Sequence, residues 1–390
     1  MNLKLGEDIQ PQASAWAETL GSPAPTRRRT RVIGILPGEG VGPEVLSATL
    51  RVLDAIEAHR PLGIERVTAP TDLLANGDGT GELSERAEGF GREIFQAGGV
   101  LFCGPCAGRF VYDLRRRFDL FCKLVPIKPA PALRHATRFK PETLRGIDIL
   151  LVRDNAGGVY QGQWGLRRHS DAGELTAWQN FSYTASDVER IVNAGAKLAR
   201  SRRQCMHVVV KDGGVPAISD LWKQVAREAA ERVGIAVAFL NADYAAYRMI
   251  HEPQALDVIV TPNMIGDILA DLAAALLGSR GVSFSGNFAA DGRAAYQTGH
   301  GAALDLAGTG RANPAGQILS LAMLLRESFG AWREAQWIEQ ALELVWEQGW
   351  RTEDVAEPGC RCVGVEEMGA RVAEAAAALA AESGGAEGER

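Results

Sequence analysis

At 390 residues the chain has room for two domains with a sizeable core. Its 46% hydrophobic and 23% charged content is ordinary for a globular protein, and a formal net charge of −6 argues against a general nucleic-acid binder. No apolar run approaches a membrane span, the opening Met1-Asn-Leu-Lys-Leu-Gly-Glu-Asp lacks the apolar stretch of a secretory signal, and six cysteines in so long a chain point to a reducing cytoplasm rather than to a disulfide framework.

Residues 1–27 mix Gln, Ala, Ser and Pro without period and read as a tail; the basic cluster Arg27-Arg-Arg-Thr-Arg31 reads as a solvated flank of the strand that follows. Arg31-Val-Ile-Gly-Ile-Leu36 is a buried strand, Pro37-Gly-Glu-Gly-Val-Gly-Pro43 a tight glycine-rich turn, and Glu44 to about His59 a helix. Strand and helix signals then alternate: a strand at 64–68, a helix near 83–97, and strands at 99–103 and 148–152. From Gly157 to Phe181 no helical period appears, which suggests a protruding hairpin. Ser186-x-x-Glu189 has the spacing of a capping box at a helix start. Strands at 206–210 and 235–239 flank a helix at 217–233, and late helices are expected near 313–329, 333–348 and 366–382. The alternation implies an α/β fold with largely parallel strands.

The most chemically loaded stretch runs from Asp243 through Asp257-Val-Ile-Val-Thr-Pro-Asn-Met-Ile-Gly-Asp267-Ile-Leu-Ala-Asp271. Val258-Ile-Val260 is a short buried strand, Thr-Pro-Asn a turn, and Gly266 onward a helix with Ile268, Leu269, Leu272 and Leu276 as its apolar stripe. Asp267 and Asp271 are four apart, so their carboxylates share one face with roughly 5–6 Å between Cβ atoms. On a solvated face such a pair is merely tolerated. Just past a strand end, where α/β folds place ligands, it suits a hard divalent cation, Mg²⁺ or Mn²⁺, held with the help of substrate oxygens.

Five stretches, in order, together carry a resemblance: Leu36-Pro-Gly-Glu-Gly-Val-Gly-Pro-Glu-Val45; Leu114-Arg-Arg-Arg-Phe-Asp-Leu-Phe121; Val152-Arg153 with Gly157-Gly-Val-Tyr160-Gln-Gly162; Asp243 with Gly266-Asp-Ile-Leu-Ala-Asp271; and Gly299-His-Gly-Ala-Ala-Leu-Asp305-Leu-Ala-Gly308 with Ala312-Asn-Pro314. In this order they resemble the metal-dependent β-decarboxylating dehydrogenases, which act on isopropylmalate, isocitrate, homoisocitrate and tartrate. The resemblance implies a two-domain fold with a discontinuous cofactor domain, 28–120 and 279–385, and a central substrate and dimerisation domain, 121–278. It implies NAD- and Mg²⁺- or Mn²⁺-dependent oxidation of a 3-substituted malate with loss of the β-carboxylate, in a cytoplasmic homodimer or higher oligomer with shared sites. Membranes and nucleic acids are not expected partners. The alternative is a non-catalytic, regulatory or scaffolding member of the same family.

The same resemblance assigns roles. Asp267 and Asp271 would hold the metal from one subunit and Asp243 from the other. Lys211 would relay the hydroxyl proton, also across the interface, and Tyr160 would protonate the enol carbon. Arg115 and Arg153 would clamp carboxylates. His300, Gly301 and Asn313 would meet the adenosine, and Asp305 its ribose; a carboxylate there repels a 2′-phosphate and favours NAD over NADP.

Four positions depart from the family pattern. The next substrate arginine is Val125, with Lys123 and Lys128 as point-charge replacements that lack a bidentate fork. The 104–114 loop is short, Gly213-Gly214 stand where an asparagine is expected, and Gln297 replaces a glutamate. Cys103-Gly-Pro-Cys106 has the spacing of a redox pair, and with Cys360 and Cys362 that of a four-cysteine zinc site, but buried structural thiols are the expectation.

Overall fold

β-branched and aliphatic runs too short for helices build the sheet, and the helices between them cover its faces. The computed structural model describes residues 16–20, 31–70, 73, 83–168 and 174–387. In chain order the strands are β1 (Arg31–Leu36), β2 (Ile64–Thr68), β3 (Val100–Cys103), β4 (Cys122–Ile127), β5 (Ile149–Asp154), β6 (Gln163–Arg168), β7 (Leu175–Asn180), β8 (Cys205–Val210), β9 (Ala236–Asn241), β10 (Val258–Thr261), β11 (Phe284–Phe288) and β12 (Ala294–Thr298). All of these but β6 and β7 join one sheet in the order β2-β1-β3-β12-β11-β4-β5-β10-β8-β9, and a short two-stranded pair, Trp350–Arg351 and Arg361–Cys362, stands apart from it.

The sheet has two parallel groups, β2-β1-β3-β12 and β5-β10-β8-β9. Antiparallel pairings β12–β11, β11–β4 and β4–β5 join them. Three reversals of direction leave the groups running opposite ways. The α/β expectation holds, and the main apolar cluster runs beneath both groups, from Ile33, Leu53 and Val100 to Val192, Val208 and Trp222, with a smaller one around Leu36, Leu101 and Phe110.

The expected strands and helices form within a few residues, but β4, β11 and β12 carried no expectation. All three hold buried polar side chains, namely Lys123, Ser285, Asn287, Gln297 and Thr298, which blur the apolar pattern. Pro126 lies past the stretch of β4 that pairs with β11, where a missing N–H is tolerated.

Three local readings are corrected. The helix Ala185–Arg200 is capped by Thr184 and Asp187, not Ser186 and Glu189: the Thr184 hydroxyl accepts from the Asp187 N–H at 3.2 Å, and the Asp187 carboxylate accepts from the Thr184 N–H at 3.1 Å. In the helix Asn263–Ala274, Ile268 is 59% exposed and not part of the core stripe; Leu269 is buried as expected, joined by Ala270 and Ala273, and Leu276 is buried just beyond the helix. The tail is anchored in part. Trp16–Thr19 is a short helix, Ala17 and Leu20 are buried, and the Ala17 N–H donates to the buried Glu327 carboxylate at 3.2 Å. Of the basic cluster, Arg31 donates to the Leu62 carbonyl, and 27–30 lie outside the described residues.

The expected hairpin is the β6–β7 pair, which exposes Trp164, Leu166, Leu175 and Trp178.

Candidate active site

Arg153 is the penultimate residue of β5, with its guanidinium fully buried. Nε and one terminal nitrogen donate to the Asn263 side-chain amide oxygen at 3.1 and 2.7 Å, while the other terminal nitrogen pairs with Asp267. Gly266 permits this approach, because a Cβ there would lie 2.2 Å from the Thr261 hydroxyl and 2.8 Å from the Arg153 side chain. Tyr160 follows β5, its ring under the Arg153 guanidinium at 5.9 Å and its hydroxyl against Asp267. Burial, then the Asp267 charge, pushes the phenol up to about 12, so it keeps its proton at neutral pH. Burial alone would raise Asp267, but Arg153, Lys123, the Tyr160 hydroxyl and Arg115 outweigh it and hold the carboxyl below its ordinary range.

Arg115, near the end of the helix Phe110–Arg117, and Lys123, on β4 directly opposite Arg153, complete a cluster of three buried cations. Burial, then Arg153, lowers Arg115 to about 10; burial, then Arg115 and Arg153, lowers Lys123 well below the usual lysine range. Asp271 is half exposed and pairs with Arg280 at 2.9 Å. The helix Asn263–Ala274 rises about 18 Å over its 12 residues. It carries Asp271 within electrostatic reach of His300, so the two parallel groups meet here.

Lys211 and Asp243 lie elsewhere. They pair with each other at 2.9 Å, both exposed, on the rim of a cavity of about 420 Å³ walled by Val210, Val215, Ile218, Met264, Ile265 and Ile268. Among the described residues no three His, Cys, Asp or Glu side chains of one chain converge to hold a metal.

On the other flank, β1, β3 and β12 end in three loops tied by backbone. The Glu39 N–H donates to the Pro105 carbonyl, the Val41 N–H to the Ala302 carbonyl, and the Ala107 N–H to the Glu39 carboxylate, at 2.8, 2.9 and 2.8 Å. Gly40 has φ +58°, and a Cβ there would meet the Ala302 carbonyl oxygen at 2.0 Å. His300 Nδ1 lies 2.9 Å from the Gly301 carbonyl oxygen, and burial lowers the imidazole's pKa. Gly301 and Asp305 are exposed. The Asn313 amide donates to Asp354 at 3.0 Å and accepts from the Ala315 N–H at 2.9 Å, so its side chain braces the loop and presents no free amide.

The sequence model of the isocitrate/isopropylmalate dehydrogenase family matches residues 32–372. The 3-isopropylmalate dehydrogenase of Pseudomonas putida is 36% identical over 359 residues, 87% of this chain and 97% of that one. That of Methylococcus capsulatus is 34% identical over 352 residues, 86% and 96% of the two chains. A solved isocitrate dehydrogenase, also from Methylococcus capsulatus, superposes with a TM-score of 0.76 at 26% identity, covering 89% of this chain and 99% of its own. The chain belongs to the isocitrate/isopropylmalate dehydrogenase family. It is a dehydrogenase of 2-hydroxy acids.

Within this dehydrogenase, Lys128 is the substrate assignment that the geometry removes. It lies five residues past Lys123, roughly 16 Å along an extended strand, and lines a separate groove with Pro126, Asp148 and Trp346. Val125 is buried opposite Leu151 and brings no charge. The short loop leaves Tyr112 packed edge-on against Tyr160 at 5.2 Å, and Arg109 stacked on Trp164 at 4.3 Å. Tyr112, Arg109, Asn263 and Arg280 were not foreseen. Asn263 lies in the Thr-Pro-Asn turn, and Arg109 and Tyr112 in the short 104–114 loop, but nothing in the residues themselves points to their contacts. Cys103 and Cys106 are buried and free; burial raises Cys103 to about 12 and Cys106 well above a normal thiol, which removes the thiolate that redox exchange needs.

Proposed function

We propose that this enzyme oxidises a 3-substituted malate to the 2-oxo acid with NAD and a divalent cation, with loss of the β-carboxylate, as a cytoplasmic homodimer. The carrying observation is the packing of Asp267 and Asp271 beside Arg115, Lys123 and Arg153: hard anionic donors for a metal next to cations for substrate carboxylates. The donor set fits Mg²⁺ or Mn²⁺, since two carboxylates on one helix face supply oxygen ligands and leave positions for substrate oxygens. When bound, the ion acidifies the 2-hydroxyl and stabilises negative charge next to the departing carboxylate.

The chain's own groups do the rest. Arg153, braced by Asn263, holds a carboxylate in fixed orientation. Tyr160 stays protonated and close to Asp267, as the donor to the enol carbon must be. Lys211 and Asp243 lie apart from Asp267 within one chain, which supports their service to a second subunit's site. The apolar cavity beside them, the exposed Met264 and Ile268, and the exposed hairpin residues offer the surface for that subunit. NAD would lie along the 37–41, 104–107 and 299–308 loops, with the exposed Asp305 toward the adenosine ribose and Gly301 leaving room beside it. The cofactor part is taken as 28–120 and 279–385, and the central part as 121–278, with the border between β11 and β4.

The test is complementation. Lys211→Met and Asp271→Asn should each abolish NADH formation, and co-refolding the two should restore it, because a mixed dimer holds one intact site. Restoration failing while both variants dimerise would refute the shared site.

A further inference from the structure

Three buried cations stand in this cleft, and they are not equally satisfied. Arg153 spends its donors on Asn263 and Asp267. Lys123 is 5% exposed, yet no described residue gives its ammonium a hydrogen bond or an ion pair. Arg115 is equally buried, and its Nε has no acceptor.

The β4–β5 register sets Lys123 directly across from Arg153. Side chains so placed have Cβ atoms roughly 5 Å apart, and like charges there weaken a sheet. A buried ammonium without a counter-ion costs stability as well. The nearby carboxylates act on it only through space: Asp267 is paired with Arg153 and Asp271 with Arg280, and neither pairs directly with Lys123. A direct ion pair for Lys123 is therefore left to a group from outside the chain. Val125, two residues along β4 on the same face, is 1% exposed and supplies no charge. Relative to a cation at 125, the charge has moved about 6.6 Å along the strand, toward Arg153.

We infer that Lys123 is the specificity-determining residue of this site: its ammonium seats on a substrate carboxylate beside Arg115 and Arg153, so that the enzyme selects 2-hydroxy-1,4-dicarboxylates whose second carboxylate lies close against β5. This rests on the dehydrogenase reading above. A lysine meets that carboxylate as a point charge without fixing its plane, so the grip sets charge and distance more strictly than orientation. Arg115 remains to supply the planar fork.

The test uses the intact dimer with Mg²⁺. Binding of D-malate and 3-isopropylmalate is measured by calorimetry, turnover with NAD by absorbance, and the melting temperature of the ligand-free protein by calorimetric scanning. Lys123→Met should weaken binding of the better ligand about 10- to 100-fold and raise its KM in step, with a smaller change in kcat. It should also raise the ligand-free melting temperature, because a desolvated amine with no hydrogen-bond partner among the described residues is gone. Lys123→Arg should keep most of the affinity, and Lys123→Gln serves as the uncharged variant if the methionine form does not fold. Unchanged affinity and KM in the uncharged variant overturn the inference and leave the dehydrogenase reading standing. Lys123-dependent binding without NAD reduction overturns that reading and supports this one. Absence of binding by the wild-type protein overturns both.

Discussion

The two flanks of the cleft are made of different material. On the cofactor flank, three loops are tied by N–H to carbonyl and carboxylate bonds, with Gly40 pressed against the Ala302 carbonyl. On the substrate flank, charged side chains are buried in contact: Arg153 on Asp267, with Arg115 and Lys123 beside them. A flank made of backbone tolerates changes of side chain but not an added Cβ where two chains touch. A flank made of charge tolerates changes of shape but not of sign. Mutations should therefore fail differently on the two sides.

The largest effect is expected at the metal pair. Asp267→Asn with Asp271→Asn removes ligand charge without removing volume, and turnover should fall by about 10³-fold or more while circular dichroism stays native. Undiminished NADH formation, or full activity of the wild-type protein in excess chelator, would remove the metal from the mechanism. Next is Arg153→Met. It strands Asp267 and frees Asn263, so both turnover and stability should drop, the latter by about 3 kcal/mol, the low end for a broken buried pair because Asp267 is a third exposed. Urea unfolding measures it, and a change below the error of the melt would contradict the brace.

On the backbone flank, Gly40→Ala should raise the KM for NAD about tenfold with less effect on kcat, since it forces the 299–303 loop away at a cost of order 1–3 kcal/mol. An unaltered KM would show that this contact does not shape the cofactor cleft. The smallest effect is expected at Asp305→Lys, an exposed position where stability should move by no more than about 0.5 kcal/mol. The ratio of kcat/KM for NAD over NADP should fall. Equal use of both cofactors by the wild-type enzyme would count against a ribose role for Asp305.

The same contrast governs what the sequence could reveal. The parallel groups were readable because β1, β5, β8 and β10 are apolar runs buried on both faces. The joining strands were not, because β4, β11 and β12 carry buried polar side chains that interrupt the apolar pattern. Asp267, Asp271, Arg153 and Tyr160 stand out through spacing and resemblance; the structure puts Arg153, Asp267 and Tyr160 in contact, with Asp271 one turn along the helix and paired with Arg280. Lys211 and Asp243 were legible as a pair, though within one chain they face a different surface. Lys128 misled because position along a strand, not charge, decides which cleft a side chain reaches. Tyr112 and Arg109 left no local signal: their placement follows from a loop too short to hold them elsewhere.

The closing helix Val365–Glu387 lies along the first long helix, Gly42–Glu57, near enough that a Cβ on Gly369 would sit 2.7 Å from the Ala48 methyl. That contact sets an order for synthesis. As the chain leaves the ribosome, β1, β2 and β3 emerge first, but β12, which covers the open edge of β3, begins only at Ala294, and the helix that packs on Gly42–Glu57 comes later still. The stretch from β4 to the end of the Asn263–Ala274 helix, by contrast, is continuous and holds a complete parallel group. Until β12 emerges, the N-terminal strands present an unpaired edge of the kind that chaperones shield. The ribosome finishes the middle of this molecule before its beginning.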